Sequence, residues 1–177
     1  GKAPLRETTA SAILMTIGYK GREPLIDPMC GSGTFSLEAA MIARNVPPGW
    51  NREFAFFQCP CFSPRKWRYM RGRARERFRV VEKPVVFASD IDAGVCRDLE
   101  ECIKTAGYEN TVQVGCGLDF FDLVPSAIAK GRGAVVLNPP YGIRMEHNDM
   151  DAKRFYEEIF LKLSNDYRGW KAAIIVP

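Results

Sequence analysis

The chain has 177 residues, 46% of them hydrophobic, and a formal net charge of +4. That is one domain's worth of sequence with enough apolar content for a full core, and its apolar runs are too short to span a bilayer. No leader pattern is legible and the six cysteines lack framework spacing, so the expectation is a cytoplasmic chain with reduced thiols and no membrane partner.

The charge is unevenly spread. Residues 64–79, "PRKWRYMRGRARERFR", hold eight Arg or Lys against one Glu, a local +7, while the rest of the chain is slightly acidic. A dense arginine segment on a weakly acidic body suggests a polyanionic partner. "CPC" at 59–61 has no second ligand pair beside it, so no metal is expected.

Taken in chain order, short apolar strands alternate with helical stretches. "PLID" (24–27) reads as a buried strand and "FSLEAAMIARN" (35–45) as a helix closed by Pro47-Pro48-Gly49. After an irregular insert (50–63), Ser63-Pro64 forms an N-cap with proline in the first helical turn, which makes the arginine-rich segment a helix. "VVFASD" (85–90) is a second strand, followed by a helix over 93–106 capped by Asp92 and stopped by Gly107. "TVQVG" (111–115) is a third strand, with a short helix around 123–130 after its loop. "AVVLN" (134–138) is a fourth strand, a helix covers about 151–163, and "KAAIIVP" (171–177) opens a fifth strand. Strands alternating with helices imply right-handed crossovers, a parallel sheet, and a ligand above the carboxyl ends of the strands.

Four loops carry candidate chemistry. In "DPMCGSGTF" (27–35), Gly31-Ser32-Gly33 lets the backbone approach a ligand, and the strand-end Asp27 suits a cationic group such as an ammonium. The spacing is not that of a nucleotide phosphate loop. In "FASDID" (87–92), Asp90 is placed to accept from ribose hydroxyls, Ile91 to wall an adenine pocket, and Asp92 to cap the next helix. In "GLDFFD" (117–122), Asp119 can accept from an adenine amino group, with Phe120 or Phe121 against the ring, although paired phenylalanines after a strand are more often core.

The fourth loop is "NPPYG" (138–142). An amine conjugated to a base or a carbonyl is a poor nucleophile. The Asn138 side-chain oxygen and the Pro139 carbonyl can hold its two N–H groups, turning the nitrogen lone pair toward a methyl donor, while Tyr141 stacks on the planar group. Arg144 is a lesser candidate for a substrate phosphate, and the lone His147 is read as solvent-exposed. In the arginine segment, interleaved Trp67, Tyr69 and Phe78 fit nucleic acid contact, against the plainer reading of a solvated face.

With these loops in order, the chain resembles the class I S-adenosylmethionine-dependent methyltransferases. More narrowly it is similar to the RNA methylase family of bacterial ribosomal RNA guanine-N2 methyltransferases, through "APLRETTASAIL" (3–14), "DPMCGSGTFSLEAAMIARNVPPG" (27–49), "SDID" (89–92) and "LNPPYG" (137–142). The resemblance implies a Rossmann-like α/β fold with helices on both faces of a mostly parallel sheet, truncated after strand five, over residues 1–177. It implies S-adenosylmethionine as cofactor. Asp27, Gly31, Ser32, Gly33, Asp90, Ile91, Asp119, Phe120 and Asn138 would bind it, and Asn138, Pro139 and Tyr141 would position the target amine. The family usually carries an RNA-binding THUMP domain ahead of this one and further strands behind it, so the expectation is a piece of a longer enzyme or a shortened relative. Ile143 stands where the family usually has an acidic residue. The "NPPY" loop alone is shared with adenine and protein-glutamine methyltransferases, which leaves those substrates open, as well as a module that binds RNA without reacting.

Overall fold

The computed structural model describes residues 5–140 and 149–176. Five parallel strands form one sheet in the order β3-β2-β1-β4-β5, with β1 (Leu25–Asp27) at its centre. On one side lie β2 (Val86–Asp90) and then β3 (Val112–Cys116); on the other lie β4 (Ala134–Leu137) and then β5 (Lys171–Ile174). Register places Asp27 opposite Ala88, Asp90 opposite Cys116, and Leu137 opposite Ile174, so the strand ends that carry the candidate loops share one edge.

Alternation along the strands divides the core in two, as expected for helices on both faces. Leu25, Val86, Ala88, Val112, Ala134 and Val136 pack with Phe35 and Ala39 of α2 (Thr34–Arg44) and with Leu99 and Ile103 of α4 (Ala93–Ala106). The intervening residues Ile26, Val135 and Leu137 face the other way, toward Phe120, Ile159 of α6 (Asp149–Asp166) and Tyr167. A side chain such as Leu137 or Val135, wholly removed from water, contributes about 1.5–3 kcal/mol.

The caps read from the sequence are present. The Asp92 carboxylate accepts from Gly94 N at 2.9 Å, and Gly107 closes α4 in the left-handed region. Ser63 Oγ accepts from Lys66 N at 3.4 Å at the start of α3 (Pro64–Arg75). Some boundaries differ. α1 (Glu7–Thr16) is not legible in the sequence as a helix, because only Ala10 and Leu14, one turn apart, are buried and the rest gives no amphipathic stripe. α5 (Pro125–Ile128) is a single turn, shorter than the expected 123–130.

The insert before α3 holds together through rings. Phe54 lies 5.2 Å from Phe56 and 6.0 Å from Trp67, and Trp50 lies 4.8 Å from Phe78. Arg71 stacks its guanidinium 4.2 Å over the Trp50 ring. This corrects one expectation. Trp67 and Phe78 turn inward to pack against these rings, and of the three interleaved aromatics only Tyr69 points outward, 70% exposed.

Candidate active site

β1 and β4 are neighbours, yet the chain leaves β1 toward β2 and returns to β4 only after β3. Crossovers therefore depart in opposite directions from these two strands, and their carboxyl ends border the crevice where sheets of this kind take ligands. β1 ends in Asp27 and β4 is followed directly by Asn138, and each of these polar residues has an unsatisfied atom. Oδ1 of Asp27 and Oδ1 of Asn138 are buried with no hydrogen-bond partner among the described residues. Leaving such an acceptor unsatisfied costs about 1–3 kcal/mol, so each is a place that would take up a donor.

Asp27 is 1% exposed. Its Oδ2 accepts from Ser36 Oγ, in the first turn of α2, at 2.7 Å. Burial is the main reason its pKa rises from 3.8 to about 7; the Ser36 hydrogen bond opposes the shift and the nearby Asp90 charge adds to it. Cys30, also buried, lies against the same two carboxylates, and its thiol is pushed well above its ordinary range, chiefly by burial.

The loop from Pro28 to Gly33 is folded over this carboxyl. Cys30 N donates to Ser89 O at 2.9 Å and Gly33 N to Cys30 O at 2.8 Å. The two glycines serve different ends. At Gly33 an added Cβ would lie 2.2 Å from Leu99 Cδ1, so the bare backbone there is demanded by α4 packing. At Gly31 an added Cβ meets nothing within 4 Å, and φ is +51°, so this backbone faces open space. Gly31 is the place where a ligand can approach the main chain.

Asp90 ties the loops together. Its Oδ2 accepts from Gly31 N at 2.9 Å and its Oδ1 from Asp92 N at 3.0 Å, while its carbonyl accepts from Leu118 N at 3.2 Å. Each carboxylate oxygen keeps a second acceptor direction for a hydroxyl. Ile91 beside it is 62% exposed. Past β3, Asp119 Oδ1 caps a short 3-10 turn by accepting from Phe121 N at 2.9 Å, which leaves its other oxygen for an amino group.

Phe120 is a correction. Its ring is 2% exposed and stacked near Tyr167 at 6.1 Å, so it belongs to the core and does not face the cleft. The reason is the 3-10 turn, which points Phe120 down into the layer between the sheet and α6. Phe121 packs against Phe155 of that helix. The sequence reading missed Leu118, which is 42% exposed and lies between the Asp90 carbonyl and Asp119. The signal available was its place directly before the strand-end acid. A cavity of about 190 Å³ below it, lined by Phe87, Gln113, Leu123 and Ile128 among others, lies on the α5 side of the sheet and does not include Asp27, Asp90 or Asn138.

At the end of β4, Asn138 is half-buried, Pro139 buried and Pro140 exposed. Tyr141, with Arg144 and His147, lies outside the described residues. No group of His, Cys, Asp and Glu among the described residues could hold a metal ion, and no described helix is long and apolar enough to cross a membrane.

This arrangement is matched by known proteins. The family model described as "RMKL-like, methyltransferase domain" matches residues 1–177. The chain belongs to the RMKL-like methyltransferase domain family. Over 98% of its length it is 36% identical to the ribosomal RNA large subunit methyltransferase K/L of Vibrio parahaemolyticus, and over 97% it is 33% identical to that of Hahella chejuensis. It spans 25% of each of those relatives. Among solved structures it superposes on SMU.472, crystallised with SAH, with a TM-score of 0.84 and 28% identity, covering 98% of this chain and 45% of that one. A predicted N6-adenine-specific DNA methylase from Listeria monocytogenes gives 0.80 and 28%, covering 98% and 44%. The sheet with helices on both faces is thus the α/β Rossmann-like fold of this methyltransferase family.

Proposed function

We propose that this domain transfers a methyl group from S-adenosylmethionine to the exocyclic N2 amine of a guanine in ribosomal RNA. The observation that carries the reading is the buried, unpartnered Oδ1 of Asn138 beside the β1/β4 crevice, an acceptor in want of an N–H donor. Membership of the RMKL-like family and the rRNA methyltransferases among its relatives support methyl transfer and an RNA substrate.

The residues present suit this cofactor. The Asp27 carboxyl has a free buried acceptor for the ammonium of the methionine end, and the open face of Gly31 admits that end to the backbone. Asp90 retains acceptor capacity for ribose hydroxyls. Exposed Ile91 and Leu118 offer the apolar adenine walls, and the second oxygen of Asp119 takes the adenine amino group. Bound there, the cofactor would supply an electrophilic methyl from its sulfonium and, as the S–CH3 bond breaks, would leave as S-adenosylhomocysteine.

The chain's own contribution is to position the amine. Asn138 Oδ1 and the Pro139 carbonyl accept its two N–H groups, and Tyr141 stacks on the base. The nitrogen lone pair is thereby aimed at the methyl, and the proton leaves to water once the nitrogen is cationic. No strong base is needed. A guanine within a stem must first be flipped out. RNA is held in part through the arginine-rich segment 65–79.

A second reading keeps the chemistry and moves it to N6 of adenine, favoured by the Listeria structure's description. Mass spectrometry of nucleosides from ribosomal RNA, with and without the full-length gene, tests both. Loss of N2-methylguanosine alone is expected. Loss of N6-methyladenosine instead would transfer the reading to adenine, and an unchanged RNA profile would overturn it in favour of a protein amide or of binding without reaction.

A further inference from the structure

The arginine segment has two sides that the sequence does not distinguish. Trp67, Arg71, Ala74 and Phe78 recur at helical spacing and are the only half-buried residues between 64 and 79. They form the inner side. Arg71 is spent there, stacked on Trp50 and donating to the Trp50 carbonyl at 3.2 Å.

Around the rest of the segment Arg65, Arg68, Tyr69, Gly72 and Arg75 are exposed, and at Gly72 an added Cβ would meet nothing within 4 Å. Arg73 is held by Glu76 at 3.1 Å. Among the described residues no carboxylate pairs with Arg65, Arg68 or Arg75. A helix whose cations no described carboxylate compensates is complementary to a polyanion.

Its position matters as much as its charge. Arg79 N donates to Arg44 O at 2.8 Å, and Asn45 Nδ2 donates to Arg77 O at 2.9 Å. Both contacts are at the far end of α2 from the glycine loop. An 11-residue helix spans about 16 Å, so the segment's C-terminal end is anchored about that far from the β1/β4 crevice.

We propose that the outer face of α3, through Arg65, Arg68 and Arg75, is a tether for the phosphate backbone of RNA outside the reacting nucleotide, with Tyr69 available to stack on an unpaired base. This rests on the RNA methylation reading above. It divides the work: the crevice takes one base, and α3 grips the flanking strand. Affinity should then depend on RNA length, and the arginines should matter only when the RNA is long enough to span both.

The test compares wild type with an Arg65→Gln, Arg68→Gln, Arg75→Gln variant and with the matching triple-lysine variant, in the full-length protein. A long fluorescent RNA hairpin and an RNA trinucleotide serve as probes, each titrated over a range of salt. Loss of three phosphate contacts lowers the slope of log affinity against log salt by about 2.7, so the fall in hairpin affinity from about 50 to 200 mM salt shrinks by about 40-fold. Trinucleotide affinity should stay within about two-fold, and the lysine variant should keep the wild-type slope.

An unchanged hairpin slope in the glutamine variant, with SAH affinity intact to show a folded protein, would overturn the tether. So would equal losses on hairpin and trinucleotide, which would put the arginines at the reacting base. A wild-type hairpin slope combined with lost binding to phosphatidylserine vesicles would overturn it in favour of a lipid surface. Failure of the methylation reading would show separately, as absence of SAH binding or of methylated product in the wild type.

Discussion

The crevice and the arginine segment present polar chemistry in opposite ways. In the crevice, Asp27 and Asn138 each keep an unpartnered oxygen away from solvent, held by the ends of two central strands. In the segment, charges stand in water on a helix without a single fully buried residue, fixed from behind by half-exposed rings. The first arrangement concentrates its effect in single atoms, where one missing acceptor has no substitute. The second spreads its effect over several interchangeable cations. Strain, burial and pH should therefore act on the crevice, and ionic strength on the segment.

The hardest test of that contrast is Asn138→Ala. Turnover should fall on the order of 10²-fold or more while SAH affinity changes little. Calorimetric titration alongside steady-state rates separates the two, and normal turnover would remove Asn138 from the chemistry. Asp90→Ala comes next, because it frees Gly31 N and Asp92 N at once. Hydrogen bonds to a charged group contribute about 1.5–3 kcal/mol each, so SAH affinity should weaken at least about tenfold and the melting temperature should drop.

The two glycines sharpen the comparison within the crevice itself. Gly33→Ala drives a methyl into Leu99 and should cost about 1–3 kcal/mol from overpacking in addition to its left-handed backbone, visible in denaturant unfolding. Gly31→Ala meets no atom, so it should cost only the backbone penalty of about 1–2 kcal/mol yet impair SAH binding more. Equal binding losses at equal stability would erase the distinction between a packing glycine and a ligand-facing one.

The smallest effect is a pH dependence. The folded-state pKa of Asp27 is raised from 3.8 to about 7, so its contribution to stability is full below the unfolded value and is lost as pH rises through 7. Asp27→Asn should flatten this, shrinking the fall in melting temperature of the unliganded protein between about pH 5 and pH 8 by a few degrees. Buried Ser36 and Cys30 and half-buried Asp90 are the groups around it, and an unaltered pH profile would mean that the carboxyl titrates as if in water.

What the sequence disclosed was mostly local. β1, β2 and β4 were readable because central parallel strands are continuous apolar runs, and the Asp92 and Gly107 caps because each acts within a few residues of itself. Asp90 could be singled out by its place at a strand end. Its bond to Gly31, 59 residues away, could not, nor could the pairing of Ser36 with Asp27, since both depend on how the loops settle over the sheet. Phe120 was ambiguous for the same reason: two adjacent phenylalanines look alike until a 3-10 turn sends one ring into the core. Trp67 and Phe78 shared that fate, because charge density drew attention to the segment while ring packing decided which side was which.

Asp90 bridges the glycine loop and the start of α4, and its carbonyl holds the loop after β3. These bonds are made within the chain itself, so the three loops around Asp90 hold one another in place. Little backbone freedom is left to lose on association, so cofactor capture should follow a single exponential whose rate rises linearly with concentration, without the plateau of a slow closing step. Amide hydrogens at Gly31 and Asp92 should likewise exchange slowly in the empty protein, with further protection by SAH confined to what the ligand itself covers.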